Sequence, residues 1–372
     1  MIRQANPTTS VDTDRRPFVL VWELTRGCEL ACKHCRAEAT PERDPEELTT
    51  AEGIALIDDI HGFGKDQLLV LSGGDPLFRP DTFELIEYAI ERGLRVTVTP
   101  SGTRSLQPAV VRRLEERGIR RLALSLDGGS ALTHDQFRLE VGSFEYTIRA
   151  ARAAQASDLP LQINTTVCAE TIDDLPAVLE LVVDLDAVLW SLFFLVPVGR
   201  GQALESITPD QAEEVMQWLL EEATTRDIGI KTTEAPHYRR VAIQAAARPT
   251  PSRSDDGIGR RLGIGAGNGF AFISHTGEVY PSGFLPVSAG NVRSESVVDI
   301  YRDAALFKRL RDPEALQGKC GVCPFKHVCG GSRSRAWATA GEPLASDPLC
   351  PYVPPEYAGP LPETQGSHAS QQ

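Results

Sequence analysis

Between Phe18 and about Arg226 the chain alternates two apolar rhythms: short runs rich in Val, Leu, Ile and Phe, and longer stretches in which apolar residues return every three to four positions. The first suits buried strands and the second amphipathic helices, so the alternation predicts a parallel sheet joined by crossover helices. Strands are expected near Phe18–Leu24, Gln67–Leu71, Leu94–Thr99, Arg121–Leu126, Leu161–Val167 and Val188–Val196. Helices are expected near Thr49–Phe63, Pro80–Arg92, Ser105–Arg117, Ser143–Ala156, Ile172–Leu185 and Thr208–Arg226. Thr49 and Glu52 make a capping-box pattern, and Gly93 and Gly118 stand where helix C-caps belong.

These six units fall short of the eight in a complete TIM barrel. The expected fold class is therefore α/β, a partial (β/α)6 TIM-like barrel open at one side, with a doubly wound sheet as the alternative. In both, active-site groups collect at the C-terminal ends of strands. Residues 1–17 form a polar N-terminal extension and 18–245 the barrel; 246–267, rich in Pro, Ser, Arg, Asp and Gly, read as a linker or mobile loop. Beyond it, Phe270–Tyr280 alternates around His275, Thr276 and Gly277 as a β-hairpin would, and a helix is expected near Glu295–Leu310. Residues 268–354 make a second, smaller unit, and 355–372 a polar, disordered tail.

Composition removes several function classes. A formal charge of −13 over 372 residues argues against a nucleic-acid surface, which would carry a basic face. The N-terminus lacks a secretory pattern, and the apolar stretch Leu185–Val198 is broken by Asp186 and Pro197 and is shorter than the roughly 20 residues that span a bilayer. A cytoplasmic protein with no membrane partner is expected. Its eight cysteines then point to metal or redox chemistry rather than a disulfide scaffold.

Cys28, Cys32 and Cys35 follow the first strand as CxxxCxxC. Three thiolates hold three irons of a cubane and leave the fourth open, whereas structural zinc and ordinary ferredoxin clusters take four ligands. A zinc loop or simply buried thiols are the bland alternatives. Gly73-Gly74-Asp75-Pro76 follows the second strand, where a tight βα turn also favours glycine.

Together, this cysteine spacing and this glycine loop resemble the radical S-adenosylmethionine (SAM) superfamily. Asp75 departs from the Glu of the family's GGEP motif, and His34 sits where the family usually carries an aromatic ring. The resemblance implies a catalytic [4Fe–4S] cluster on the three cysteines, and SAM contacts from Gly73, Gly74, Asp75, Pro76, Thr99, Ser101, Ser125, Asp127, Arg138 and Asn164. Strand-end caps and turns are the competing reading for Thr99, Ser101, Ser125, Asn164 and Asp127, and a surface role for Arg138.

Cys320-x2-Cys323-x5-Cys329, followed by Cys350, resembles the SPASM domain of many radical SAM enzymes. The full pattern has seven cysteines for two auxiliary clusters; here the positions near Gly265, at Ser282 and at Arg333 lack cysteine. One auxiliary [4Fe–4S] cluster on Cys320, Cys323, Cys329 and Cys350 is implied, with four-thiolate zinc as the alternative. Cys168 reads as a packed thiol, with a substrate role as the other possibility.

In such enzymes a low-potential electron, from a donor such as ferredoxin or flavodoxin, starts SAM cleavage to a 5′-deoxyadenosyl radical that abstracts hydrogen. The segments containing Arg200 and Gly330–Ala336 are similar to the alternative heme-biosynthesis group, which removes acetate or propionate carboxyl groups from tetrapyrroles. Arg200, Arg333 and Arg335, with Arg239 and Arg240, are candidate carboxylate partners; structural arginines are the alternative. Two rivals stay open. One is a maturase of ribosomally made peptides, whose usual fused recognition domain has no room in the seventeen residues before Phe18. The other is a non-catalytic iron–sulfur scaffold.

Overall fold

A computed structural model describes residues 12–157, 159–245 and 264–363. Most of the expected linker, 246–263, lies outside the described residues, as do 1–11 and 364–372. The strands are β1 (Val19–Glu23), β2 (Leu68–Ser72), β3 (Arg95–Val98), β4 (Arg121–Ser125), β5 (Leu161–Val167), β6 (Leu189–Phe194), β7 (Gly229–Thr233), β8 (Phe270–Ile273) and β9 (Val279–Tyr280). The barrel helices are α1 (Thr50–His61), α2 (Thr82–Glu91), α3 (Pro108–Glu116), α4 (Ala131–Arg138), α5 (Ser143–Ala156), α6 (Leu175–Asp184), α7 (Pro209–Thr225) and α8 (Tyr238–Gln244). After β9 come α9 (Val297–Asp303), α10 (Ala305–Arg311), α11 (Gly318–Gly321) and α12 (Arg333–Ala340).

One sheet holds all nine strands in the order β7-β6-β5-β4-β3-β2-β1-β8-β9, parallel except for the β8/β9 hairpin. The order never reverses among β1 to β7, which is the winding of a barrel wall and not of a doubly wound sheet with its switch point. Helices α4 and α8, and two features of the sheet, were not expected from the sequence. A seventh parallel strand, β7, extends one edge, and β8 pairs in parallel with β1 at the other, so the second unit continues the barrel sheet. Residues 355–363, expected as disordered tail, include a turn in which the Tyr357 hydroxyl donates to the Pro360 carbonyl at 2.6 Å.

Strand register divides the sheet's two faces. Leu20, Trp22, Leu69, Leu71, Val96, Val98, Leu122, Leu124, Ile163 and Leu192 point outward and are fully buried beneath the helices. Trp190 on this face meets Trp218 of α7 edge-on. The opposite, interior face is mixed: Val21, Val70, Thr97, Ala123, Asn164, Ser191, Phe193, Lys231 and Phe272 lie along it by the same register. α1 begins at the expected capping box, with the Glu52 N–H donating to Thr49 and the Thr49 N–H to Glu52.

Candidate active site

The loop after β1 carries the three cysteines, and neighbouring loops grip it through the backbone. The N–H groups of Gly74 and Asp75 donate to the carbonyls of Thr25 and Gly27 at 2.7 and 2.8 Å. This close approach explains the glycine pair: a Cβ on Gly73, whose φ is +151°, would lie 2.5 Å from the Thr25 carbonyl oxygen, and one on Gly74 would lie 2.5 Å from that of Gly27. From beyond β6, Gly199 (φ +53°) packs on the carbonyls of Cys35 and Arg36. Arg200 then donates through its backbone N–H to the Cys35 carbonyl, and through Nε and Nη1 to those of Cys32 and Ala39, both at 2.9 Å.

Cys28 and Cys32 are buried, and Cys35 packs against them together with Leu30 and Ala39. Donors already face the sulfurs. The Leu30 N–H reaches Cys28 Sγ at 3.3 Å, the Ala39 N–H reaches Cys35 Sγ at 3.4 Å, and Arg138 Nη1 lies 3.6 Å from Cys32 Sγ. Burial pushes the Cys28 thiol up to about 11 and raises that of Cys32 despite Arg138. Metal would replace those protons, and N–H groups directed at sulfur are what cluster thiolates accept. Among the described residues no three His, Cys, Asp or Glu side chains converge on a single-ion site. Cubane ligands bind separate irons, and by chemistry and burial this donor set fits such a cluster.

Of the residues expected to contact SAM, Gly74, Asp75, Ser101 and Arg138 touch this loop. Ser101 Oγ donates to the Gly74 carbonyl at 2.8 Å and lies 3.5 Å from Cys28 Sγ. Asp75 caps the short turn Pro76–Phe78 through the Leu77 N–H and also accepts from the Ser101 N–H. Burial pushes its carboxyl up to about 6. Thr99 follows β3, while Ser125 and Asn164 are register partners on the interior face. Asp127 and Arg138 form a buried pair, Nη2 to Oδ2 at 2.6 Å, and Asp127 also accepts the Thr166 N–H at 2.7 Å. Burial would raise the Asp127 carboxyl, but Arg138, with His34 and His134, outweighs it and holds it at about 2. His34 stacks on Phe137 at 4.8 Å between centroids, and burial lowers its imidazole to about 4, so it is neutral near pH 7.

Cys320, Cys323, Cys329 and Cys350 line one small cavity with Arg240, Lys319, Phe325, Lys326 and Tyr352. The Gly331 N–H donates to Cys329 Sγ at 3.4 Å, and burial pushes Cys329 and Cys350 up to about 12 and 11. The four thiols therefore share a site, as a cluster requires. Cys168 sits apart, buried with Phe137, Leu195 and Leu204.

The arginines expected to meet substrate carboxylates face the chain's own oxygens. Arg333 Nη1 donates to the carbonyls of Pro343 and Ala345, both at 2.8 Å. Arg335 donates to the carbonyls of Phe194, Leu195 and Glu234 and pairs with buried Asp347 at 3.1 Å. Arg239 donates to the carbonyls of Val328 and Ile264, and Arg240 pairs with Glu213. With Arg200 bound to the cysteine loop, these guanidinium groups are engaged by backbone carbonyls and by the carboxylates of Glu213 and Asp347.

Two networks had no signal in the sequence. Glu23, at the end of β1, joins His275 Nδ1 at 2.8 Å and Arg36 Nη1 at 2.8 Å, while His275 Nε2 reaches Asp44 at 3.1 Å. Glu234, left-handed at φ +56°, accepts from the hydroxyls of Ser282, Ser332 and Ser334. Ser282, at a position where the fuller cysteine pattern has a ligand, is thus bound to a carboxylate.

The family model for the radical SAM superfamily matches residues 22–182. The chain is 42% identical over 341 residues to the AdoMet-dependent heme synthase of Methanosarcina barkeri, covering 91% of this chain and 97% of that protein. It is 39% identical to the enzyme of the same name from Nitratidesulfovibrio vulgaris, covering 94% and 96%. In fold it is similar to Streptococcus suis SuiB bound to precursor peptide SuiA, with a TM-score of 0.69, 15% identity, and coverage of 91% of this chain and 76% of that one. At that identity the likeness speaks for fold alone. With the family model spanning the cysteine loop and the glycine turn, and the heme synthases matched along nearly their whole length, the chain belongs to the radical SAM superfamily.

Proposed function

We propose that this enzyme oxidatively removes carboxyl-bearing side-chain groups from a tetrapyrrole, as a step of heme biosynthesis. The observation that carries the reading is the 42% identity to an AdoMet-dependent heme synthase along nearly the whole of both chains. When bound, the cluster and SAM supply a 5′-deoxyadenosyl radical for hydrogen abstraction. The chain's residues do the rest. Cys28, Cys32 and Cys35 hold the cluster; Gly73 to Pro76, Thr99, Ser101, Ser125, Asp127, Arg138 and Asn164 surround the SAM position, with Arg138 and Asp127 acting as a pair. Cys320, Cys323, Cys329 and Cys350 hold an auxiliary cluster in a SPASM-like unit.

The interior face suits a flat, partly apolar substrate. Phe193 and Phe284 meet at 6.3 Å, and Phe272 stacks on Tyr280 along this face. A low-potential donor such as ferredoxin or flavodoxin delivers the starting electron. The peptide-maturase alternative draws on 30% identity to a mycofactocin maturase of Mycobacterium ulcerans, over 96% of this chain and 95% of that protein. The test is anaerobic: reconstituted protein with SAM and dithionite is offered siroheme- and coproheme-type tetrapyrroles, watched by Soret absorbance, with products weighed by mass spectrometry. A Soret shift and loss of carbon dioxide from a side chain are expected. Hydrogen abstraction from a precursor peptide, without any tetrapyrrole binding, would replace this reading with the maturase.

A further inference from the structure

The surroundings of the two cysteine sites differ in their balance of charge: Arg138, 3.6 Å from Cys32 Sγ, is matched by a carboxylate at the first, while cations are in excess against sulfur at the second. Beside the first, two buried carboxylates stand near sulfur: Asp75 next to Cys28, and Asp127 next to Cys32, the latter paired with Arg138. Beside the second, three buried cations converge. Arg240, 3% exposed, places Nη2 4.0 Å from Cys350 Sγ, and its Nε is buried with no hydrogen-bond partner. Arg333, 5% exposed, places Nη2 3.8 Å from Cys320 Sγ. Lys319, also 5% exposed, donates to the Cys350 carbonyl. The opposing carboxylates are Glu213, which pairs with Arg240; Glu314, which pairs with Lys326; and Asp347, which pairs with Arg335.

We propose that Arg240, Arg333 and Lys319 raise the reduction potential of the auxiliary cluster. The inference rests on an iron–sulfur cluster occupying the second site, part of the functional reading above. Reduction adds one negative charge to a cluster whose ligands are all thiolates, and buried cations within a few ångströms stabilise that charge far more than water-exposed ones. The chemistry needs such an acceptor. Hydrogen abstraction from the carbon β to a carboxylate leaves a carbon radical; breaking the bond to the carboxyl group releases carbon dioxide, forms a C=C bond and liberates one electron. An oxidised cluster held by Cys320, Cys323, Cys329 and Cys350 would supply the one-electron oxidant for it.

The test is a potentiometric titration followed by electron paramagnetic resonance, in the full-length Cys28→Ala/Cys32→Ala/Cys35→Ala background so that only the auxiliary cluster responds. Arg240→Gln and Lys319→Met should each make reduction at least tenfold less favourable, a shift of about 59 mV for one electron. Arg240→Lys, which keeps the charge, should recover most of it. Unchanged potentials in both charge-removing variants, at wild-type iron content, overturn the proposal. So does loss of the cluster from both, which would make these residues scaffolding, and so does a second site filled by redox-silent zinc. The titration needs no substrate, so a negative result leaves the tetrapyrrole reading standing, while failure of tetrapyrrole binding leaves the potentials unaffected.

Discussion

At the residue scale, the Asp127–Arg138 pair shows how a buried charge becomes an obligation. Asp127 is 2% exposed and Arg138 7%. Removing one partner strands the other, and such a loss costs about 3–5 kcal/mol. Arg138→Ala should therefore lower stability by that order in urea unfolding and weaken iron retention at the first site, because the same guanidinium faces Cys32 Sγ. The sign with pH follows from the depressed carboxyl. Asp127 contributes stability above its ordinary value of 3.8 and loses it as pH falls toward about 2. Acid unfolding of Asp127→Asn should show a flatter loss of stability across that window than the wild type. Equal slopes would mean that the pair does not govern acid stability.

At the scale of elements, the loops after β1, β2 and β6 act as one clamp. Gly199→Ala puts a Cβ 2.5 Å from the Arg36 carbonyl oxygen in a left-handed conformation, and strain of this kind costs on the order of 1–3 kcal/mol. Iron at the first site should fall while the second site keeps its own, as read by iron analysis and resonance signals of each cluster. Full retention at the first site would show the clamp to be slack. The cysteine loop and glycine turn were legible because thiol spacing and glycine geometry are local properties. The seventh strand, Gly229–Thr233, was not, since its polar Lys231 and Thr233 face the interior and break the apolar run. The backbone partners of Arg200, Arg333 and Arg335 were not legible for a related reason: a guanidinium serves a ligand carboxylate or a backbone carbonyl with the same donors, and sequence does not say which. The Glu23–His275 contact spans 252 positions, beyond any local pattern.

At the scale of the whole molecule, the barrel and the C-terminal unit share a sheet, with Val19 to Trp22 paired to Phe270 to Ile273. Truncation before Phe270 would bare the β1 edge, and an exposed apolar edge promotes association. Such a fragment should aggregate in light scattering where the full chain stays dispersed. The two cysteine sites should nevertheless load independently, since each has its own donors: Leu30, Ala39 and Arg138 at the first, Gly331, Arg240 and Arg333 at the second. Two cubanes of four irons predict about eight irons per reconstituted chain. The Cys28→Ala/Cys32→Ala/Cys35→Ala variant should hold about half of that and release no 5′-deoxyadenosine from SAM. Changing Cys320, Cys323, Cys329 and Cys350 to Ala should leave SAM cleavage in place but block turnover, because the electron freed by substrate oxidation then has no resident acceptor. If that second variant still completes multiple turnovers with dithionite as the only added redox agent, the auxiliary site is structural and the electron leaves by another route.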